Sequence, residues 1–158
     1  MFTNRSCVEL IREWNDIFED DLEEFSDELK KIIPTSSAII LTGPVGAGKT
    51  TFTKTFIESD DESEVCSPTY SVINENGNCA HADFYRLKSS EEVVHLELSL
   101  YLDDKDYFLV EWGKPFLKEI SRNLEEDWEI FELVFEINSE KFQKKGSSPR
   151  KIQLFKHF

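Results

Sequence analysis

Ala38-Ile39-Ile40-Leu41-Thr42 runs directly into Gly43-Pro44-Val45-Gly46-Ala47-Gly48-Lys49-Thr50-Thr51, and the rest of the chain is organised around that junction. The first five residues are a short apolar run, partly β-branched and ending in glycine, which reads as a buried strand. Residues 43–50 fit the pattern G-x-x-x-x-G-K-[ST]. That pattern carries meaning only between a strand and a helix, and residues 49–57 supply the helix. Gly46 and Gly48 let the backbone wrap an anion without side-chain interference. The amides of residues 46–51 then point at it, reinforced by the positive end of the helix. Lys49 can reach β- and γ-phosphate oxygens, and the Thr50 hydroxyl can ligate magnesium.

Upstream, Leu22, Phe25, Leu29 and Ile32 or Ile33 recur at three- and four-residue spacing, one apolar face of a helix that Pro34 closes. The stretch before it, residues 8–18, fits a strand or a longer helix equally well. Downstream, residues 70–74 and 80–84 flank Glu75-Asn76-Gly77-Asn78, a strong hairpin signal. Ser89-Ser90-Glu91-Glu92 opens a helix through about Tyr101 with a capping box. Tyr107-Phe108-Leu109-Val110 is a second wholly apolar strand and ends in Glu111-Trp112. Pro115 suits a helix start, with the helix over residues 116–124. Phe131, Leu133, Phe135 and Ile137 alternate with Glu132, Val134 and Glu136, and Ile152 and Leu154 repeat the pattern. Two antiparallel strands joined by the polar loop 138–149 follow.

Strands alternating with helices, with a hairpin at each side, predict an α/β sandwich. The expected class is a three-layer P-loop NTPase-like fold with a mixed central sheet, as one domain over residues 1–158. The length of 158 residues suits one domain, and 39% apolar content with 13 phenylalanines supplies a core. The 18 basic and 32 acidic residues give a net charge of −14, which excludes nucleic-acid capture by charge alone and disfavours anionic membranes. No apolar run approaches the roughly 20 residues of a membrane span, and no signal peptide is evident. Cys7, Cys66 and Cys79 are odd in number and lack CxxC spacing, which predicts reduced thiols and a cytoplasmic protein.

A phosphate loop needs a further metal-positioning acid on a neighbouring strand. Glu111 closes an apolar run in the Walker B manner, with glutamate in place of aspartate. Asp83 ends the hairpin strand ahead of Phe84-Tyr85-Arg86. Ser67-Pro68-Thr69 lies after the loop's helix, where a threonine can sense a γ-phosphate or Pro68 can simply begin a strand. Trp112 by itself reads as a packing residue.

LTGPVGAGKTT (41–51), CSPTYSVINE (66–75), HADFYRL (81–87) and LVEW (109–112) together resemble the bacterial TsaE (YjeE) family. These are small P-loop ATPases required for threonylcarbamoyladenosine in tRNA. The resemblance spans about residues 36–115 and is looser toward the C-terminus. It implies ATP and Mg2+ as cofactors, with Gly43, Pro44, Val45, Gly46, Ala47, Gly48, Lys49, Thr50 and Thr51 as the nucleotide loop. It implies Thr50 and Glu111 on the metal, and Lys49, Asp83 and Glu111 as residues needed for activity. It further implies a mobile segment at Ser67 and Thr69, a functional tryptophan at Trp112 and an arginine approaching the nucleotide at Arg150. The implied partners are TsaD and TsaB-like proteins that hold the tRNA. The family usually has an acid at the position of Pro44, a bulky apolar residue at Ala82 and a proline at Gly113. None of these departures removes a phosphate, lysine or metal group.

Two other classes compete. A P-loop small-molecule kinase needs clustered arginines over the phosphates, whereas Arg5, Arg12, Arg86, Arg122 and Arg150 are scattered. A GTPase needs an N/T-K-x-D tetrapeptide, and the chain has none.

Overall fold

The computed structural model describes residues 7–58, 72–139 and 147–158. They form a seven-stranded sheet in the order β1-β7-β6-β2-β5-β4-β3, with helices on both faces. The strands are β1 Val8–Ile17, β2 Ser37–Thr42, β3 Ile73–Asn76, β4 Cys79–Asp83, β5 Tyr107–Glu111, β6 Glu129–Ile137 and β7 Arg150–His157. The helices are α1 Leu22–Ile32, α2 Lys49–Glu58, α3 Ser90–His95, α4 Ser99–Leu102 and α5 Leu117–Arg122. β2 pairs in parallel with β5 and β6, and β4 in parallel with β5. The β3–β4, β6–β7 and β1–β7 pairs are antiparallel, so the sheet is mixed.

Two apolar layers hold the sheet. On one face, Leu22, Phe25 and Leu29 of α1 and Phe52 and Phe56 of α2 cover Ile39, Leu41, Leu109, Leu133 and Phe135. Each buried phenylalanine contributes about 1.5–3 kcal/mol from the area removed from water. The opposite face packs Val93, Leu98, Leu102, Phe116 and Ile120 against Ala38, Ile40, Ala80, Ala82, Phe108 and Val110. β2 and β5 lie under both layers. Their continuous apolar runs follow from that double burial.

The structure decides one alternative and changes several boundaries. Residues 8–17 form a strand, paired with β7 at the sheet edge. Only Trp14 of this strand is buried, and its ring meets Phe25 edge-on at 4.9 Å. The helix expected through Tyr101 breaks at residues 96–98, with Glu97 at φ 53°. Buried Val93 and Leu98 are five residues apart, about 140° around a continuous helix. The break returns Leu98 and Leu102 to the sheet. The capping box at its start is present: Ser89 Oγ accepts from the Glu92 amide, and Glu92 accepts from the Ser89 amide. The hairpin turn is shorter than expected, because Asn76 pairs with Cys79 across Gly77-Asn78. Pro115 sits in a 3-10 turn, Lys114–Phe116, and α5 begins one residue later than expected.

Cys7 and Cys79 are free thiols, and Cys66 lies outside the described residues. Among the described residues no helix is long and apolar enough to cross a membrane.

Candidate functional site

β2, β4 and β5 run in parallel and deliver their C-terminal ends to one edge of the sheet. The glycine loop leaves β2 at Gly43 and enters α2 at Lys49. Gly43 has φ 154°, and a Cβ there would lie 2.7 Å from the Phe135 carbonyl oxygen on β6. That oxygen is backbone in a paired strand and cannot give way. Gly43→Ala is therefore expected to cost about 1–3 kcal/mol. Thermal melting checks this, and a wild-type midpoint would refute the close approach. Gly46 and Gly48 also have positive φ, but a Cβ on either would meet no atom within 4 Å. Their requirement is the direction of the backbone. The loop is an open concave surface that suits an anion.

Lys49 is 5% exposed. Its ammonium donates to the Gly43 carbonyl and lies 3.8 Å from the centroid of the Trp112 ring. Burial pulls its pKa below the ordinary lysine value, and the charges of Glu111 and Asp83 oppose that shift. Thr50, at the start of α2, donates its hydroxyl to Glu111 Oε1 at 2.7 Å. Glu111 pairs in register with Asp83 on the adjacent parallel strand, so the two acids stand side by side. Asp83 Oδ1 accepts the Tyr85 amide at 3.0 Å. Tyr85 in turn packs on Trp112, with ring centroids 5.2 Å apart.

Trp112 has φ 59°, a conformation that costs a non-glycine residue of order 1–3 kcal/mol. The adjacent Gly113 passes so close to β5 that a Cβ would meet Val110 Cγ1 at 2.6 Å. This tight turn aims the indole at Lys49. A glycine there, where the resemblance leads one to expect proline, is accounted for by Val110 and Ile120 filling the space.

The geometry thus brings together Lys49, Thr50, Asp83, Glu111 and Trp112, which line one cleft with Val45 and Gly46. Ser67 and Thr69 lie outside the described residues. Arg150 reaches the loop from β7, but its guanidinium is committed to carbonyls: Ala47 O at 2.8 Å, Gly46 O at 3.2 Å, and Ser148 O. Turning those carbonyls toward β7 leaves the loop's amides for an anion. Arg150, Ser148, Ile17, Phe18 and Leu22 line a second pocket that shares Gly46, Gly48 and Thr51 with the cleft.

Sequence reasoning missed His81. It is 2% exposed, and its Nε2 lies 2.8 Å from Glu111 Oε2. Its Nδ1 has no hydrogen-bond partner among the described residues. The His81 contact fixes one Glu111 oxygen and leaves the other for the Thr50 hydroxyl. Burial raises the Glu111 pKa, but the hydrogen bonds from His81 and Thr50 and the electrostatic attraction of His81 and Lys49 outweigh it, so the carboxyl sits below its ordinary value. The signal available in the sequence was a lone histidine inside Cys79-Ala80-His81-Ala82, a strand otherwise composed of small apolar residues.

The residues present fit a magnesium-bound nucleoside triphosphate. Magnesium is usually held by one or two carboxylates together with substrate phosphates, and a hydroxyl–carboxylate pair beside a buried lysine matches that requirement.

A family model described as "Threonylcarbamoyl adenosine biosynthesis protein TsaE" matches residues 18–145. A tRNA threonylcarbamoyladenosine biosynthesis protein TsaE from Borreliella burgdorferi is 31% identical over 130 residues, covering 72% of this chain and 90% of the relative. The Aquifex aeolicus TsaE is 34% identical over 87 residues, covering 51% of this chain. The chain spans 65% of the Aquifex relative's length and 59% of the Rickettsia felis relative's. Among solved structures, Bacillus subtilis YdiB superposes with a TM-score of 0.56 at 22% identity, over 95% of this chain and 87% of that one. That likeness supports the P-loop NTPase-like fold. With the glycine loop, its acids and the matched span in agreement, the chain belongs to the TsaE family of threonylcarbamoyladenosine biosynthesis proteins.

Proposed function

We propose that this chain is a cytoplasmic, magnesium-dependent ATP-binding and ATP-hydrolysing subunit for threonylcarbamoyladenosine modification of tRNA, acting through partner proteins of the TsaD and TsaB type. The observation that carries the reading is the Thr50 hydroxyl 2.7 Å from Glu111, beside Lys49 and at the mouth of a glycine loop. The amides of the loop and the Lys49 ammonium would hold the triphosphate, and Thr50 and Glu111 would hold the metal. Magnesium, when bound, neutralises phosphate charge and favours attack by water at the γ-phosphorus. His81 keeps Glu111 ionised and aimed. Trp112 and Tyr85, packed on each other, form one side of the cleft. The second pocket, apolar at Ile17, Phe18 and Leu22, offers a base-binding surface next to the loop. A net charge of −14 favours partners as the holders of the tRNA.

A small-molecule kinase gains no support from the site, since the arginine touching the loop is bound to backbone carbonyls.

Asp83 tests the coupling to partners. Asp83→Asn is expected to bind ATP within about threefold of wild type, because the loop and Lys49 are untouched. It is expected to fail to support repeated tRNA modification with the partner proteins. Calorimetry and modified tRNA per enzyme read the two effects. Wild-type multiple turnover would make Asp83 a solvated strand-end carboxylate.

A further inference from the structure

The alternation of β6 assigns Glu132 to a wet face, yet the residue is only 3% exposed. Burying a carboxylate costs several kcal/mol unless charges and hydrogen bonds compensate it. Three groups do so. The Thr42 hydroxyl donates to Glu132 Oε2 at 2.6 Å, Lys114 Nζ lies 3.2 Å from the same oxygen, and His157 Nε2 lies 3.2 Å from Oε1.

Two of these partners adjoin, in sequence, segments that line the cleft from opposite sides. Thr42 ends β2 and immediately precedes Gly43, whose carbonyl receives the Lys49 ammonium. Lys114 follows Trp112 by two residues, and the Trp112 ring packs against that same ammonium. A single carboxylate oxygen therefore ties the root of the glycine loop to the root of the tryptophan turn. Lys114 is itself 57% exposed in its side chain, so its charge needs no buried partner.

We infer that Glu132 is a positioning residue for the nucleotide site, with Oε2 fixing the strand end that launches the loop relative to the strained turn that carries Trp112. The inference rests on the nucleotide-binding reading above. Glu132 touches no substrate and acts through Thr42 and Lys114. Its role is to hold the spacing between the loop and the indole, so that Lys49 is already in place when the phosphates arrive.

The experiment separates positioning from stability. Methionine at 132 removes the acceptor of the Thr42 hydroxyl and the partner of His157, so E132M/K114M is melted alongside wild type and its binding is read where it remains folded. Magnesium-ATP titrated into wild type, E132Q and E132M/K114M is expected to bind about tenfold more weakly to both variants, the size typical of losing a supporting partner. E132Q keeps the shape of the side chain and serves if the double variant does not fold. A folded variant with affinity within twofold of wild type overturns the inference and leaves Glu132 as a structural ion pair. Wild type that binds no ATP overturns the nucleotide reading itself, a failure visible before any variant is measured.

Discussion

Lys49→Ala is expected to weaken magnesium-ATP binding by about 100-fold and to abolish measurable hydrolysis, while the protein remains folded. The lysine is nearly buried, and among the described residues its ammonium meets the Gly43 carbonyl and the Trp112 ring at close range. Neither is a full counter-charge, and burial already depresses its pKa. The free protein therefore holds a partly desolvated cation whose natural complement is an anion in the loop. Removing it costs the fold little and costs phosphate binding a charge-assisted contact that water does not replace. Calorimetry together with thermal melting distinguishes the two. Unchanged ATP affinity in a folded variant would refute the assignment of the loop.

Glu111→Gln is the second large effect. The glutamate is 4% exposed, with one oxygen on Thr50 and the other on His81. A glutamine fills the same volume but cannot offset a divalent charge. Magnesium-dependent hydrolysis should fall about 100-fold, with nucleotide affinity in the presence of a chelator changed less than about threefold. The substitution also has a pH signature. The folded pKa of Glu111 lies below its ordinary value of 4.5, so the stability it contributes is complete above that value. It is lost as pH falls through the folded pKa. The difference in melting between wild type and Glu111→Gln should accordingly shrink below about pH 4.5. A difference that grew with acid would contradict the hydrogen-bonded carboxylate.

Much of the site was legible because its signals are local. The glycine loop, its strand and its helix are contiguous, and Glu111 ends a run whose apolar character comes from burial on both faces of the sheet. What stayed hidden depends on layers. Period-two alternation assumes a sheet wet on one side, so it gives no sign that Glu132 is buried among partners from β2, β7 and the turn before α5. His81 was hidden for the same reason, since its partner Glu111 lies 30 residues on. β1 resisted assignment because an edge strand with one buried side chain carries almost no periodic signal. The break between α3 and α4 is set by where Leu98 must land on the sheet, which no capping residue announces. Arg150 was placed near the nucleotide by resemblance. The structure gives it a different immediate task, holding the loop carbonyls.

Under the proposed function, hydrolysis at this site drives tRNA modification through partners. Its most direct test is modified tRNA per enzyme in a reconstitution containing this chain, TsaD- and TsaB-type partners, tRNA and a threonylcarbamoyl donor. ATP and a non-hydrolysable analogue are compared, with the chain present or omitted. Many rounds of modification are expected only with both the chain and hydrolysable ATP. Equal turnover without the chain, or with the analogue in place of ATP, would contradict it.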